Sequence, residues 1–230
     1  MAGDEEGRVE AVQFHPSYAY EDFIEGIRPK VTTDNKTLLY EIKPGIFMDL
    51  VSRAIQYPEE RFFLVLDEMN RANLPRVFGE LLFGLEYRGE KNGFTLPYSG
   101  VRVWVPENIT IIGAMNTADR SIALVDAAIR RRFRHVEFPP DLDVLRGWLK
   151  DHGLGQLADD AAGRLGRLNQ ELERSLDKDR LVGHTYLMRE DLEEAGYETV
   201  WDEDVGPVLN EHLYNRPEEV ARLRDLFVGD

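Results

Sequence analysis

Apolar and polar positions along this chain change rhythm several times. Residues 9–14 alternate like a short strand, residues 20–27 have helical spacing closed by Arg28-Pro29, and residues 38–42 return to a strand pattern before a turn at Pro44-Gly45. A helix is expected over residues 47–57. Phe62, Phe63, Leu64, Val65 and Leu66 form an unbroken apolar run bounded by charge. It is too short for a buried helix and suits a central strand of a parallel sheet. Val77, Phe78, Leu81, Leu82 and Leu85 then recur at helical intervals. Residues 87–105 alternate around Asn92-Gly93 and Ser99-Gly100 as a β-hairpin insertion. Residues 109–114 read as another buried strand, 124–133 as a helix and 135–138 as a last strand.

Pro139-Pro140 is the best domain boundary. Beyond it Leu157, Ala161, Leu165, Leu168, Leu172 and Leu176 fall on one face at steps of three and four, the mark of an amphipathic helix. The expected organisation is an α/β core over residues 1–140, with its hairpin near 87–105, followed by an all-helical domain over 141–230. Strands alternating with helices, with carboxylates at a strand's C-terminal end, indicate an open parallel sheet whose site lies on its carboxyl edge.

Composition narrows the classes. The balance of 43% hydrophobic and 31% charged residues in 230 residues permits a real core. Lys and Arg total 28 against 43 Asp and Glu, a net charge of −15 that argues against broad nucleic-acid or membrane binding. Residues 191–215 contain no Lys or Arg and read as a solvated acidic face. With no cysteine, disulfides and thiolate zinc sites are excluded, and the five histidines show no ligand spacing. No apolar stretch is long enough to span a membrane, and the cytoplasm is the expected location.

The chemistry concentrates in Phe62-Phe-Leu-Val-Leu-Asp-Glu-Met-Asn-Arg71, where an apolar strand delivers two adjacent carboxylates into a turn. Asp67 and Glu68 in that position suit a nucleotide-hydrolysing site, one carboxylate for magnesium and one for water. Against this stands an absence. The 230 residues contain no Gly-x-x-x-x-Gly-Lys-Ser/Thr loop, whose backbone N–H groups and lysine would cradle phosphates.

Five segments together resemble the AAA+ module of the McrB family: Gln13-Phe-His-Pro-Ser-Tyr-Ala-Tyr-Glu-Asp-Phe-Ile-Glu-Gly26, Leu66-Asp-Glu-Met-Asn-Arg-Ala-Asn73, Met115-Asn-Thr-Ala-Asp-Arg-Ser121, Arg130-Arg-Arg-Phe133 and Gly183-His-Thr-Tyr186. The family comprises GTP-driven motor subunits of modification-dependent restriction systems that act with an McrC nuclease. The resemblance implies an AAA+ P-loop NTPase-like sheet followed by a helical lid, with Mg2+ as cofactor, GTP or ATP as nucleotide, and a homo-oligomeric ring. It implies DNA recognition through a domain that this sequence lacks. On it, Asp67 holds the magnesium hydration shell, Glu68 polarises the attacking water, and Asn116 is the first sensor of the γ-phosphate. Asp119 and Arg120 belong to the loop through which the nuclease influences hydrolysis. Arg131 is the arginine finger reaching a neighbouring subunit, worth on the order of 10³ in rate, and Arg132 is a second phosphate sensor. At about 100° per residue, at most two of Arg130, Arg131 and Arg132 reach a common site. His15 and His184 read as structural. Tyr18, Tyr20 and Phe23 read as core more readily than as a nucleotide-stacking patch.

The resemblance also implies that the first core strand and phosphate loop precede residue 1. A chain without them should leave neighbouring strands with open edges, should associate or rearrange, and should not hydrolyse nucleotide alone. Two other readings remain open at this stage: an ATP-driven AAA+ remodelling or chaperone motor, and a non-catalytic scaffold module without a phosphate loop.

Overall fold

The computed structural model describes residues 7–31, 38–116 and 127–229. It divides into two compact units, Met1–His135 and Val136–Asp230. In the first, β1 (Val9–Gln13) leads to one helical turn, α1 (Tyr20–Phe23), and then to a ribbon of β2 (Glu25–Val31) and β3 (Leu38–Pro44). Helix α2 (Ile46–Gln56) precedes β4 (Phe62–Asp67), after which come the short helices α3 (Leu74–Phe78) and α4 (Leu81–Glu86). A small hairpin, β5 (Phe94–Thr95) and β6 (Arg102–Val103), leads to β7 (Ile109–Gly113) and to α5 (Ala127–Arg130).

The apolar run is the middle strand of a three-stranded parallel sheet, ordered β1-β4-β7. Phe62, Leu64 and Leu66 face the buried side while Phe63 and Val65 are half-buried, so both faces of β4 are covered to different depths. Behind the sheet, the ring of Phe23 stacks on Phe47 and on Phe78, each at 5.4 Å, and meets Phe14 edge-on. Phe23 is fully buried, a core residue and not a stacking platform. His15 lies against Tyr18 through an edge contact.

Three expected elements differ in course, and two more in extent or burial: the helix expected over 124–133 ends at Arg130, and of the strand expected to be buried over 109–114 only Ile109 is buried. The helix expected over 20–27 stops after one turn, because residues from Glu25 onward pair with β3, Ile27 opposite Ile42 and Pro29 opposite Tyr40. Gly26 makes this turn possible: a Cβ there would lie 2.8 Å from the Glu21 carbonyl oxygen. The helix expected through 77–85 is two helices, split at Gly79 with φ of +48°, where a Cβ would meet the Tyr20 ring at 2.9 Å. Residues 135–138 form no strand; Phe138 is 92% exposed. Alternation alone does not make a strand without a neighbour for its backbone groups.

The ribbon has one apolar face, Ile27, Val31, Leu38, Tyr40 and Ile42, all exposed. On its other face Glu41 bridges Lys30 and Lys43. The hairpin insertion is docked by a buried charge: Glu25, 3% exposed, accepts the N–H groups of Tyr98 and Ser99 at 2.9 and 3.1 Å.

The second unit is helical: α6 (Leu142–Asp151), α7 (Ala158–Ser175), α8 (Leu192–Val200), α9 (Gly206–His212) and α10 (Pro217–Val228). Ala161, Leu165, Leu168 and Leu172 of α7 are wholly buried against residues including Leu145, Leu209, Leu223 and Phe227. Asp141 caps α6 by accepting from the N–H groups of Asp143 and Val144, and its own N–H donates to His184 Nδ1 at 3.0 Å. His184 is thus part of a helix start. Five of the eight carboxylates of 191–215 meet arginines from outside that segment, Asp191, Glu203 and Asp204 on Arg189, and Glu198 and Asp202 on Arg224. Among the described residues no helix is long and apolar enough to cross a membrane.

Arg164 ties the unit together. Its Nη1 donates to the carbonyls of Phe227, Val228 and Gly229 at the end of α10, its Nε to Asp160, and its guanidinium lies 4.4 Å from the Tyr197 ring centre. Three last-turn carbonyls therefore depend on one buried cation. Arg164→Met should lower the unfolding free energy of this unit by about 3 kcal/mol, since those acceptors lose their donor in a mostly buried setting. Urea unfolding followed by far-ultraviolet circular dichroism would measure the loss.

Candidate functional site

The site begins where β4 ends. Asp67 is exposed, and its carbonyl accepts the Phe14 N–H at 2.8 Å, so the end of β1 holds it from one side. On the other side Ala114 donates to the Leu66 carbonyl at 2.7 Å and accepts from Met69 N–H at 2.9 Å. Between these anchors the chain reverses. Glu68 takes φ of +51° and ψ of +40°, the one non-glycine with positive φ among the described residues. A Cβ-bearing residue pays for that conformation in steric strain. It is held by local bonds: Asp67 Oδ1 accepts the Glu68 N–H at 3.0 Å, and the Glu68 carbonyl accepts the Arg71 N–H at 2.9 Å. The reversal turns the two adjacent side chains away from the alternation a strand would impose.

The turn is bolted to the end of β7 as well. Buried Asn70 donates from Nδ2 to the main-chain carbonyl of Asn116 at 3.0 Å. Met69, 5% exposed, packs where Gly113 leaves room; a Cβ on Gly113 would lie 2.2 Å from its sulfur. Asp67, Glu68 and Asn116 are thereby gathered on one edge of the sheet, at the carboxyl ends of adjacent strands. Glu68 Oε2 accepts from Arg71 Nε at 3.1 Å. Asp119 and Arg120 lie outside the described residues.

Arg131 and Arg132 converge elsewhere in the same unit, on Glu86 at the end of α4. The helix α5 ends at Arg130, and the next residues turn tightly, Arg131 N–H onto Ala127 and Arg132 N–H onto Ile129. That turn brings two consecutive arginines to one carboxylate. Arg132, with its side chain 9% exposed, donates from Nε to the Leu82 carbonyl at 2.6 Å and from Nη2 to Glu86 at 2.7 Å. Arg131, 62% exposed, reaches the same Glu86 oxygen at 3.3 Å.

Among the described residues no three His, Cys, Asp or Glu side chains converge as a metal cage. Two adjacent carboxylates at an open strand end fit a magnesium ion that keeps most of its water and takes its other ligands from phosphate. A cleft of about 780 Å³ at the base of the ribbon does not include them, and both of its arginines are paired within it, Arg28 with Asp22 and Arg53 with Glu10. Sequence reasoning named the carboxylates, Asn116 and the arginines, but missed Glu86 and the locking roles of Asn70 and Gly113. A glycine inside a strand pattern was the available signal for Gly113; Glu86 carried none.

Comparison with known proteins gives the geometry its context. The family model of the AAA domain (dynein-related subfamily) matches residues 4–133, and that of the McrB alpha-helical lid domain matches residues 160–221. The chain is 36% identical over 239 residues to the Type IV methyl-directed restriction enzyme EcoKMcrB subunit of Escherichia coli (strain K12), covering 97% of this chain and 51% of that protein. It is 24% identical over 254 residues to the Type II restriction enzyme BsuMI component YdiS of Bacillus subtilis (strain 168), covering 92% and 70%. The chain thus spans about half the length of the first relative.

Two stability measurements test this local architecture. Glu68→Gly and Glu68→Ala both remove the carboxylate, but only alanine keeps the strained φ, so the glycine variant should be more stable by about 1 kcal/mol in urea unfolding. Gly113→Ala should destabilise by about 1–3 kcal/mol through its clash with Met69. Adding Met69→Ala should then cost less than it does in the unmodified chain, a coupling that a double-mutant cycle reads.

Proposed function

Because this chain belongs to the McrB family of AAA+ proteins, we propose that it is the nucleotide-hydrolysing motor module of a modification-dependent DNA restriction complex, with GTP as its nucleotide. The observation that carries the reading is the bonded edge at the ends of β4 and β7, where Asp67, Glu68 and Asn116 stand together. Bound magnesium would neutralise charge between the terminal phosphates, with Asp67 holding its hydration shell. Glu68 leaves Arg71 and takes the proton side of the attacking water, acting as general base. The Asn116 amide orients that water or the γ-phosphate. Arg131 acts in trans on the site of a neighbouring copy, with Arg132 beside it, which makes a ring the working assembly. Asp119 and Arg120 are assigned to the contact with an McrC-like nuclease, and DNA recognition to a domain outside these residues. The cytoplasm is the proposed location.

The absence of a Gly-x-x-x-x-Gly-Lys-Ser/Thr loop from these 230 residues supports a division of labour within the site. Asp67 and Glu68 organise magnesium and water, while the phosphate cradle has to come from other residues. The same absence is what favours the scaffold reading, in which the module fills ring positions without turnover.

Calorimetric titration of the chain with GTP and with ATP, in magnesium and in the Glu68→Gln background, tests this. The expected result is no micromolar binding by the chain, and GTP binding once a phosphate-loop segment is supplied. Adenine preference would favour a remodelling motor, and no binding even with the loop would favour the scaffold.

A further inference from the structure

We propose that Glu86 is a positioning residue that aims Arg131 outward toward the terminal phosphate of a nucleotide held by a neighbouring copy of the chain. The proposal rests on the reading of Arg131 as an arginine acting in trans. One oxygen of Glu86, Oε2, receives both Arg132 Nη2 at 2.7 Å and Arg131 Nη2 at 3.3 Å. The two bonds are unequal in kind. Arg132 is nine-tenths buried and also bound to the Leu82 carbonyl, so it fixes the Glu86 carboxylate against α4. Arg131 is 62% exposed, takes the longer bond, and gives Glu86 a single Nη2.

Three physical consequences follow from this arrangement. Adjacent guanidinium groups repel, and a shared carboxylate between them offsets that repulsion at the place where both must sit. An exposed arginine loses rotamer freedom when it engages a ligand, and an anchor at one Nη lowers that loss in advance. The planar guanidinium keeps further N–H groups directed to solvent, and a phosphate oxygen bearing more charge than a carboxylate oxygen can take them without breaking a buried contact. Glu86 therefore presets the direction of Arg131, and buried Arg132 presets Glu86.

Nucleotide turnover by the complete protein tests the chain of support. Glu86→Gln keeps the shape and removes the charge; kcat should fall on the order of tenfold to a hundredfold with KM changed less than about twofold. The thermal midpoint should stay within about 4 °C, as expected for a partly exposed pair. Mixing Glu86→Gln subunits, which keep Glu68, with Glu68→Gln subunits, which keep an aimed Arg131, should restore turnover above either variant alone. If Arg131→Ala abolishes turnover while Glu86→Gln leaves kcat unchanged, the positioning role is overturned and the reading of Arg131 stands. If Arg131→Ala leaves turnover unchanged, both are overturned. A Glu86→Gln loss that follows the thermal midpoint and is not restored by mixing would make the residue a fold contact only, and would also overturn the proposal.

Discussion

The geometry of the candidate site in the first unit depends on the two hydrogen bonds of Ala114. By donating to Leu66 and accepting from Met69, this one residue at the end of β7 straddles the point where β4 turns into the Asp67–Glu68 reversal. A carboxylate pair on a free strand end would wander with its loop. Here the backbone before and after the pair is fixed to the next strand, and the Phe14 bond to Asp67 fixes it to the strand on the other side. The strained φ of Glu68 persists because these contacts over-determine it.

Close approach is the second condition. The Asn70 amide reaches the Asn116 carbonyl where Met69 sinks beside Gly113, so a missing side chain on one strand sets the distance between the two loops of the candidate site. The same logic recurs at Gly26 and Gly79, where absent Cβ atoms let α1 and α3 end abruptly and pack among the phenylalanines behind the sheet. Backbone proximity bought by glycine is a recurrent device of this unit. The helical unit relies instead on a buried cation, with Arg164 gathering the end of α10 onto α7 and Tyr197. An apolar helix bundle buries its faces readily, but a helix end inside it needs a donor for its last carbonyls.

Much of this was legible in the order of residues. The five-residue apolar run of β4 and the buried face of α7 follow from local pattern, because burial on two faces or on one helical stripe imposes a period that side chains display. The carboxylate pair was legible as residues, and the strand at 109–113 as a strand, though only Ile109 of it is buried. The family resemblance was equally local, since it sits in short motifs. The elements that differed share a cause. Residues 20–27 and 77–85 have a helical period that continues across the places where the backbone turns, and only packing against β3 or Tyr20 shows that the helix stops there. Residues 135–138 have a strand period and no ladder.

Side-chain partnerships across long separations were beyond any periodic reading. Glu86 meets arginines 45 and 46 residues away, Glu25 meets the Tyr98 and Ser99 amides more than 70 residues away, and Arg164 meets carbonyls more than 60 residues away. Sequence by itself determined the fold class and the family and named the candidate site residues, because these depend on local hydrophobic period and on short motifs. Only the tertiary structure decided the reversal at Glu68, the bolt from Asn70 to Asn116 and the shared carboxylate under Arg131 and Arg132. The bolt and the shared carboxylate are contacts between segments far apart in the chain, and the reversal, though its own bonds are local, is flanked by the long-range bonds of Ala114 and Phe14. That geometry exists only once the sheet has brought those segments within hydrogen-bonding reach.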